Sequence, residues 1–338
     1  VIPAPAVSVV ICTYNRPRML ERTVASCLAD ATRTGLAYEI VIADNSPDGH
    51  AAPLVAGLAG QAVPVSRAPA APPNISIARN AGLRAARAPL VAFLDDDLIV
   101  APGWLDAMLA TLRDTGADVV LGQLRPHFAT GAPPVWDPRA ERFTRALTAP
   151  SGTPIVAGGR HRTRGFTVST ATSLWRAATC FTDPLPFDPA FGASGGEDLD
   201  LFLRLEARGR RFAWCAESLV EETIPPERSA WRYWLLRAFS GAQAYGAATI
   251  KNAAWPWRTA IDVMARGALQ AVALATLAVL ELPLGRARWQ PRMLDAALGL
   301  GKVLWWRKLG LYQMEKAPAA AIASTRSSSR TRAGGSGR

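Results

Sequence analysis

Three consecutive carboxylates, Asp95, Asp96 and Asp97, close the apolar run Leu90 to Leu94, and a Gly-Gly-Glu-Asp cluster, Gly195 to Asp198, follows far downstream. Adjacent acids repel one another and raise each other's pKa unless a cation neutralises them, so a triplet of this kind suits Mg²⁺ or Mn²⁺. Asp95 and Asp97, in a D-x-D arrangement, are the expected metal ligands, with Asp96 beside them in the pocket. Asp198 has a different task open to it. It begins a helix after a flexible Gly-Gly turn, where a carboxylate at a pocket rim can accept a hydroxyl proton, with Glu197 adjoining it. Each signal has a plainer explanation when taken alone: a solvated acidic turn for the triplet, and first-turn acids balancing a helix dipole for Glu197 and Asp198. Together they point to metal-assisted transfer of a group to a hydroxyl.

Such chemistry needs a scaffold that delivers distant residues to one crevice. Val7 to Cys12, Glu39 to Ala43, Val63 to Arg67 and Leu90 to Leu94 are short apolar or β-branched runs that read as strands. Between them, Arg18 to Ala29, Ala51 to Ala59 and Ser76 to Ala88 carry apolar residues at helical spacing. This alternation predicts an α/β fold, a doubly wound and mostly parallel sheet with helices on both faces. Trp104 to Arg113 adds a helix and Asp118 to Gly122 a strand. Arg125 to Pro186 is rich in Pro, Gly, Thr and Arg and reads as loops, the wall that receives a second substrate. Glu197 to Arg208 returns to helix, Arg211 to Cys215 to strand, and Trp231 to Ala248 to an aromatic-rich helix. Open sheets bind ligands outside the carboxyl ends of their strands, so Tyr14, Asp44 and the Asp triplet should face a common crevice.

The 338 residues, 49% of them hydrophobic, allow a sizeable core and exclude disorder throughout. Cys12, Cys27, Cys180 and Cys215 lack C-x-x-C spacing and read as buried hydrophobes in a reducing compartment. His50, His127 and His161 lack the spacing of a zinc helix, and Val7 to Cys12 is too short for a signal-peptide core. The net charge of +11 is concentrated in residues 251–338, with 14 Lys+Arg against 4 Asp+Glu, whereas residues 1–250 carry 24 against 23. A near-neutral main domain argues against nucleic acid, and anionic lipid is the expected partner of the basic end. Gly267 to Leu280 is apolar but shorter than the ~20 residues that cross a bilayer. Met293 to Trp306 ends in Trp305, Trp306, Arg307 and Lys308, an interfacial pattern. The expected organisation is a transferase domain over 1–250, a helical, basic, membrane-associated segment over 251–316 and a disordered basic tail over 317–338. A helical hairpin packed on the main domain is the competing explanation for the middle segment.

If the transferred group is a sugar leaving a nucleoside diphosphate, a cation must take up charge on the leaving group and a carboxylate must take the acceptor's proton. Tyr14 can stack on the base, and Asp44 can accept its ring N–H unless it merely closes an Asx turn before Asn45 and Ser46. Arg79 and Asn80, on the next helix, can reach the pyrophosphate. Five segments now resemble one family in order and spacing: VSVVICTYNRP over Val7 to Pro17, IVIADNS over Ile40 to Ser46, ARNAGL over Ala78 to Leu83, FLDDD over Phe93 to Asp97 and FGASGGEDLDL over Phe191 to Leu201. They resemble the inverting family 2 glycosyltransferases of the GT-A fold over roughly residues 7–245. Thr13, beside Tyr14 at the end of the first strand, is a further expected substrate-binding residue, and the resemblance implies that Asp44 binds the base, Asp95 the ribose or metal region, Asp97 the metal, and that Asp198 is the catalytic base.

Val220 to Phe239 resembles the subgroup of succinoglycan-type glucosyltransferases that build bacterial exopolysaccharide. Many relatives carry a metal-facing histidine after the Glu-Asp motif, whereas here Glu222 stands near that place and is the expected replacement. A salt bridge to Arg228 or Arg232 explains the same glutamate. The implied partners are a UDP-linked donor, a lipid-linked glycan acceptor and the membrane surface, at the cytoplasmic face of the inner membrane, peripheral or shallowly inserted. A non-catalytic membrane-associated scaffold that keeps a nucleotide pocket is the alternative.

Overall fold

The chain first alternates strand and helix: β1 (Val7–Thr13), α1 (Pro17–Thr34), β2 (Tyr38–Asp44), α2 (Ala52–Gly57), β3 (Val65–Pro69), α3 (Ile75–Ala85) and β4 (Leu90–Asp95). The computed structural model describes residues 4–159 and 161–307, without the side chains of residues 31–34. All seven residues of β1 and of β2 are buried, as expected for strands covered on both faces. Local chemistry sets the helix ends. Pro17 opens α1 with its φ already helical, Gly35 closes it in the left-handed conformation, and the Asn74 side chain caps α3 by accepting from the N–H groups of Ser76 and Ile77.

The second half is more irregular: β5 (Leu98–Val100), α4 (Trp104–Thr115), β6 (Val119–Phe128), β7 (Pro154–Ile155), β8 (Thr172–Arg176), α5 (Ala177–Cys180), α6 (Glu197–Ala207) and β9 (Phe212–Ile224). Among the described residues one sheet forms in the order β3-β2-β1-β4-β8-β6-β9-β5, with β7 paired to β9. β3, β2, β1 and β4 are parallel, β8 runs against both β4 and β6, and β9 is parallel to β6. The sheet is thus mostly parallel, with β5, β7 and β8 reversed. β8 lies inside the stretch expected to be loop. Its five residues are too few for a periodic signal, yet Leu174 and Trp175 are fully buried between two neighbours. β9 runs nine residues beyond the expected Cys215, through Glu221 and Glu222, because pairing with β6 and β5 overrides their low strand propensity.

Alternation along β1 assigns the helices to faces. Val7, Val9 and Ile11 pack with Leu20 and Val24 of α1 and with Trp104 and Met108 of α4. Val10 and Cys12 point the other way, towards Ala78 and Ala81 of α3 and Leu201, Phe202 and Leu205 of α6. That places Arg79 and the start of α6 on the same side of the sheet.

After α7 (Pro226–Ser229), three helices complete the described chain: α8 (Trp231–Lys251), α9 (Pro256–Leu280) and α10 (Arg286–Val303). α8 packs on α6, and Lys251 at its end bonds Asp188 at 2.8 Å and Asp200 at 2.9 Å. α9 and α10 form a hairpin, with α10 also lying along α8. A Cβ at Gly299 would come within 2.6 Å of the α9 backbone, so only glycine permits this helix approach. The expected tail, residues 317–338, lies outside the described residues, as does Lys308.

Candidate active site

The parallel register aligns three strand ends. Thr13 lies beside Asp44, and Cys12 beside Asp95. The chain winds outward from β1 through β2 to β3 and then crosses back to β4 on the other side of β1. This reversal is the topological switch point at which open sheets form their ligand crevice.

Arg79 is the centre of the site. Its side chain is only 6% exposed, and its guanidinium donates to Glu197 and forms ion pairs with Asp198 at 2.7 Å and Asp95 at 3.8 Å. The Phe187 ring closes over it, with 5.4 Å from guanidinium carbon to centroid. Asp95, Glu197 and Asp198, from distant parts of the chain, are therefore brought onto one guanidinium, whereas Asp97, expected with them, is held by Arg16 and Arg228. Gly195 and Gly196, both with positive φ, make the turn that aims Glu197 and Asp198. A Cβ at Gly196 would lie 3.0 Å from that of Ala244, so the turn is also pressed against α8.

The Asp198 carboxylate accepts from the Thr170 N–H at 3.1 Å, the Thr170 hydroxyl at 3.0 Å and the Ser169 hydroxyl at 3.3 Å. With the Arg79 ion pair these make four close contacts on the carboxylate. An incoming hydroxyl must displace one donor, and Ser169 makes the longest of the four contacts. Glu197 is different: its second oxygen, Oε2, is buried with no hydrogen-bond partner among the described residues. Burial, followed by the neighbouring Asp198 charge, pushes the Glu197 carboxyl up to about 7 against the pull of Arg79.

The rest of the triplet is held by cations. Asp96 accepts from Thr13 at 2.8 Å and from Arg16 at 3.2 Å. Asp97 accepts from Arg16 at 3.2 Å and from Arg228 at 2.7 Å. β5 follows the triplet and pairs with β9 so that Leu98 faces Glu222, which sets Glu222 near Asp97. Arg228 stands between them, 3.5 Å from Glu222, as the salt-bridge explanation of that glutamate anticipates. Burial and then the Asp97 charge raise the Glu222 pKa. Among the described residues no three His, Cys, Asp or Glu side chains group as a ready-made metal cage. Asp95 is the accessible acid, with 41% of its side chain exposed.

The remaining expected residues take varied positions. Asp44 is buried and accepts from the Ser46 and Ala51 N–H groups and, at 2.8 Å, from Arg67, with His50 3.6 Å away. Burial alone would raise its pKa, but these donors hold it below the usual range. The Asx turn is therefore present, and three donors already occupy the carboxylate. Asn80 both donates to and accepts from the Phe187 backbone, at 2.7 and 3.1 Å, and so fastens the roof over Arg79 instead of reaching into the crevice. Tyr14 is half-buried at the end of β1.

The family model for Glycosyl transferase family 2 matches residues 8–168. The chain is 33% identical over 316 residues to succinoglycan biosynthesis protein ExoM of Rhizobium meliloti (strain 1021), spanning 93% of this chain and 96% of the relative. The chain belongs to glycosyl transferase family 2. This family 2 transferase is also 28% identical over 240 residues to validoxylamine A glucosyltransferase of Streptomyces hygroscopicus subsp. limoneus, across 65% of this chain and 53% of that one. Its fold is matched by the crystal structure of S. aureus TarS 1-349 in complex with UDP, with a TM-score of 0.51 over 88% of this chain and 90% of the other, at 15% identity. The protein is thus a glycosyltransferase of the GT-A fold.

Several site residues of the transferase escaped sequence reasoning. Ser169 and Thr170 lie in a stretch with no periodic signal, and Arg145 reaches the site only because its backbone bridges Leu124. Its charge acts on both Asp95 and Glu222, opposing the burial that raises their pKa values. Arg16 could have been found, because it lies within the first matching segment, one turn from the end of β1.

Proposed function

We propose that this transferase moves a hexose, with inversion, from a UDP-linked donor to a glycan on a lipid carrier, in bacterial exopolysaccharide synthesis at the cytoplasmic face of the inner membrane. The observation that carries this is the Arg79 guanidinium, which holds Asp95 from a strand end and Asp198 from a helix start beside one crevice. The relatives' names support the pathway and the hexose, and the UDP of the TarS complex supports the donor.

In the reaction the acceptor oxygen attacks the anomeric carbon as the bond from that carbon to the diphosphate breaks, and the acceptor proton passes to Asp198. Displacing Ser169 from Asp198 Oδ2 would give the hydroxyl its hydrogen bond. Arg79 keeps Asp198 oriented until then through their ion pair. Negative charge developing on the diphosphate would meet Arg16, Arg145 and Arg228, which already face the acids of the triplet. Mg²⁺ keeps several waters and commonly takes one or two carboxylates plus substrate phosphates, so the exposed Asp95 fits an ion that arrives with the donor, whereas Asp97 and Glu222 would join it only if Arg228 gave way. Such an ion, when bound, neutralises the leaving group.

We also assign residues 1–250 to the transferase domain and 251–316 to a membrane-associated segment. Asp198→Asn tests the assignment of the base: transfer should be lost while UDP still binds, and unchanged turnover would overturn it. A thermal-shift comparison of nucleotide sugars with Mn²⁺ tests the donor, with UDP-hexoses expected to stabilise most.

A further inference from the structure

The exposed large hydrophobics of this protein are concentrated on one element. Ile261, Leu269, Val272, Val279 and Leu280 line the face of α9 turned away from α10, with Leu269 73% and Val272 69% exposed, and Leu282 and Leu284 extend the face around the turn. On the opposite side of the helix Val263, Gly267 and Ala278 are buried. From Gly267 to Leu280 the outer face carries no charge, and the Thr276 hydroxyl is satisfied within the helix by the Val272 carbonyl at 2.9 Å.

Cations stand at both ends of this face. At its start Arg258 lies over the rings of Trp255 and Trp257, 5.3 and 5.0 Å from their centroids, and both tryptophans are exposed. At its far end Arg286 and Arg288 are exposed on the first turn of α10. The acids nearby are already paired, Asp262 with Arg266 at 2.8 Å and Glu281 with Arg292 at 3.3 Å. Arg258, Arg286 and Arg288 have no carboxylate partner among the described residues.

We infer that α9 lies flat in the headgroup layer of an anionic phospholipid membrane, its outer face in the acyl boundary and its terminal arginines on lipid phosphates. Three observations select this occupant. The uncharged stretch of 14 residues is about 21 Å long, short of a hydrocarbon core of ~30 Å. The whole helix is long and apolar enough to cross, but a crossing would carry α10 with it, and α10 brings Arg286, Arg288, Arg292, Asp295 and Lys302. A second copy on this face is disfavoured by charge: parallel or antiparallel, a helix pair would set arginine ends against arginine ends. An apolar face bounded by Trp and Arg matches an interfacial helix.

This inference rests on the lipid-linked acceptor proposed above, and it adds the element and the lipid class. α8 and α10 join α9 to the catalytic loop, through the contact of Gly196 with Ala244, so docking here would hold the crevice at a fixed height over the lipid.

The full chain is sedimented with vesicles of phosphatidylcholine alone or with phosphatidylglycerol added, and release of free UDP from UDP-glucose is read in parallel. The intact protein should pellet with the anionic vesicles and far less with the neutral ones. The double variant Leu269→Gln/Val272→Gln should lose that binding. Arg286→Gln/Arg288→Gln, at exposed positions that leave the fold intact, should weaken it by about five-fold per arginine, the contribution of one cation near an anionic surface. Neither pair lies near Asp198, so UDP release should be unchanged. Undiminished pelleting of both variants overturns the inference, as does equal binding to neutral vesicles. A dimer in sedimentation equilibrium that the Leu269/Val272 variant converts to monomer would assign the face to a second copy instead. Loss of UDP release with vesicle binding intact would count against the transferase proposal alone.

Discussion

The crevice and the C-terminal hairpin handle charge in opposite ways. In the crevice, Arg16, Arg79 and Arg228 are each shared between two or more acids, half of them buried. In the hairpin, Arg258, Arg286 and Arg288 are exposed beside apolar surface, with no acid to meet them among the described residues. A buried acid cannot be left without a counter-charge, because removing one partner of a buried pair strands an expensive ion, whereas an exposed arginine is solvated and available. The first arrangement fixes geometry for chemistry. The second leaves charge free for something outside the chain.

The largest test of this contrast is Asp198→Asn. A general base contributes on the order of 10²–10⁴ in rate, so turnover should fall by that much while UDP binding, read by calorimetry, persists. Arg79→Met should come next. With Asp95, Glu197 and Asp198 left facing each other, urea unfolding should show a loss of roughly 3–5 kcal/mol, and a loss below ~1 kcal/mol would mean that the crevice pairs are no stronger than surface ones.

Glu197→Gln sharpens the same point through pH. Folding raises the Glu197 pKa from 4.5 to about 7, so the native state binds this proton more readily than the unfolded chain does, and stability falls as pH rises across that window. The variant has no such proton. Its melting temperature relative to the parent should therefore rise between pH 4.5 and 7, by on the order of a few degrees, and a difference that is flat with pH would show that the carboxyl titrates normally. Glu281→Gln breaks the half-exposed pair with Arg292 and should change stability by less than ~1 kcal/mol, the smallest of these effects.

Much of the frame was legible because its signals are local. The apolar runs at Val7, Glu39 and Leu90 became β1, β2 and β4 almost residue for residue, since a strand buried on both faces is mostly apolar. β3 was displaced by two residues, because Pro64 and the polar Ser66 and Arg67 blur its start. β8 was hidden for a stronger reason: five residues are too few to carry a period, and only the space between β4 and β6 makes them a strand.

The sequence by itself determined which residues could do the chemistry. Acids at strand ends and after a Gly-Gly turn, a neutral main domain and a basic, Trp-bearing end all follow from composition and short-range spacing. Tertiary structure alone decided how those acids are held. That Arg79 would tie Asp95 to Asp198, that Arg228 would separate Asp97 from Glu222, and that Asp44 and Asn80 would be spent on internal bonds depend on contacts between residues far apart in the chain. Side chains of one type can be solvated, paired or catalytic according to what lies opposite them, and only packing brings the opposite partner into place.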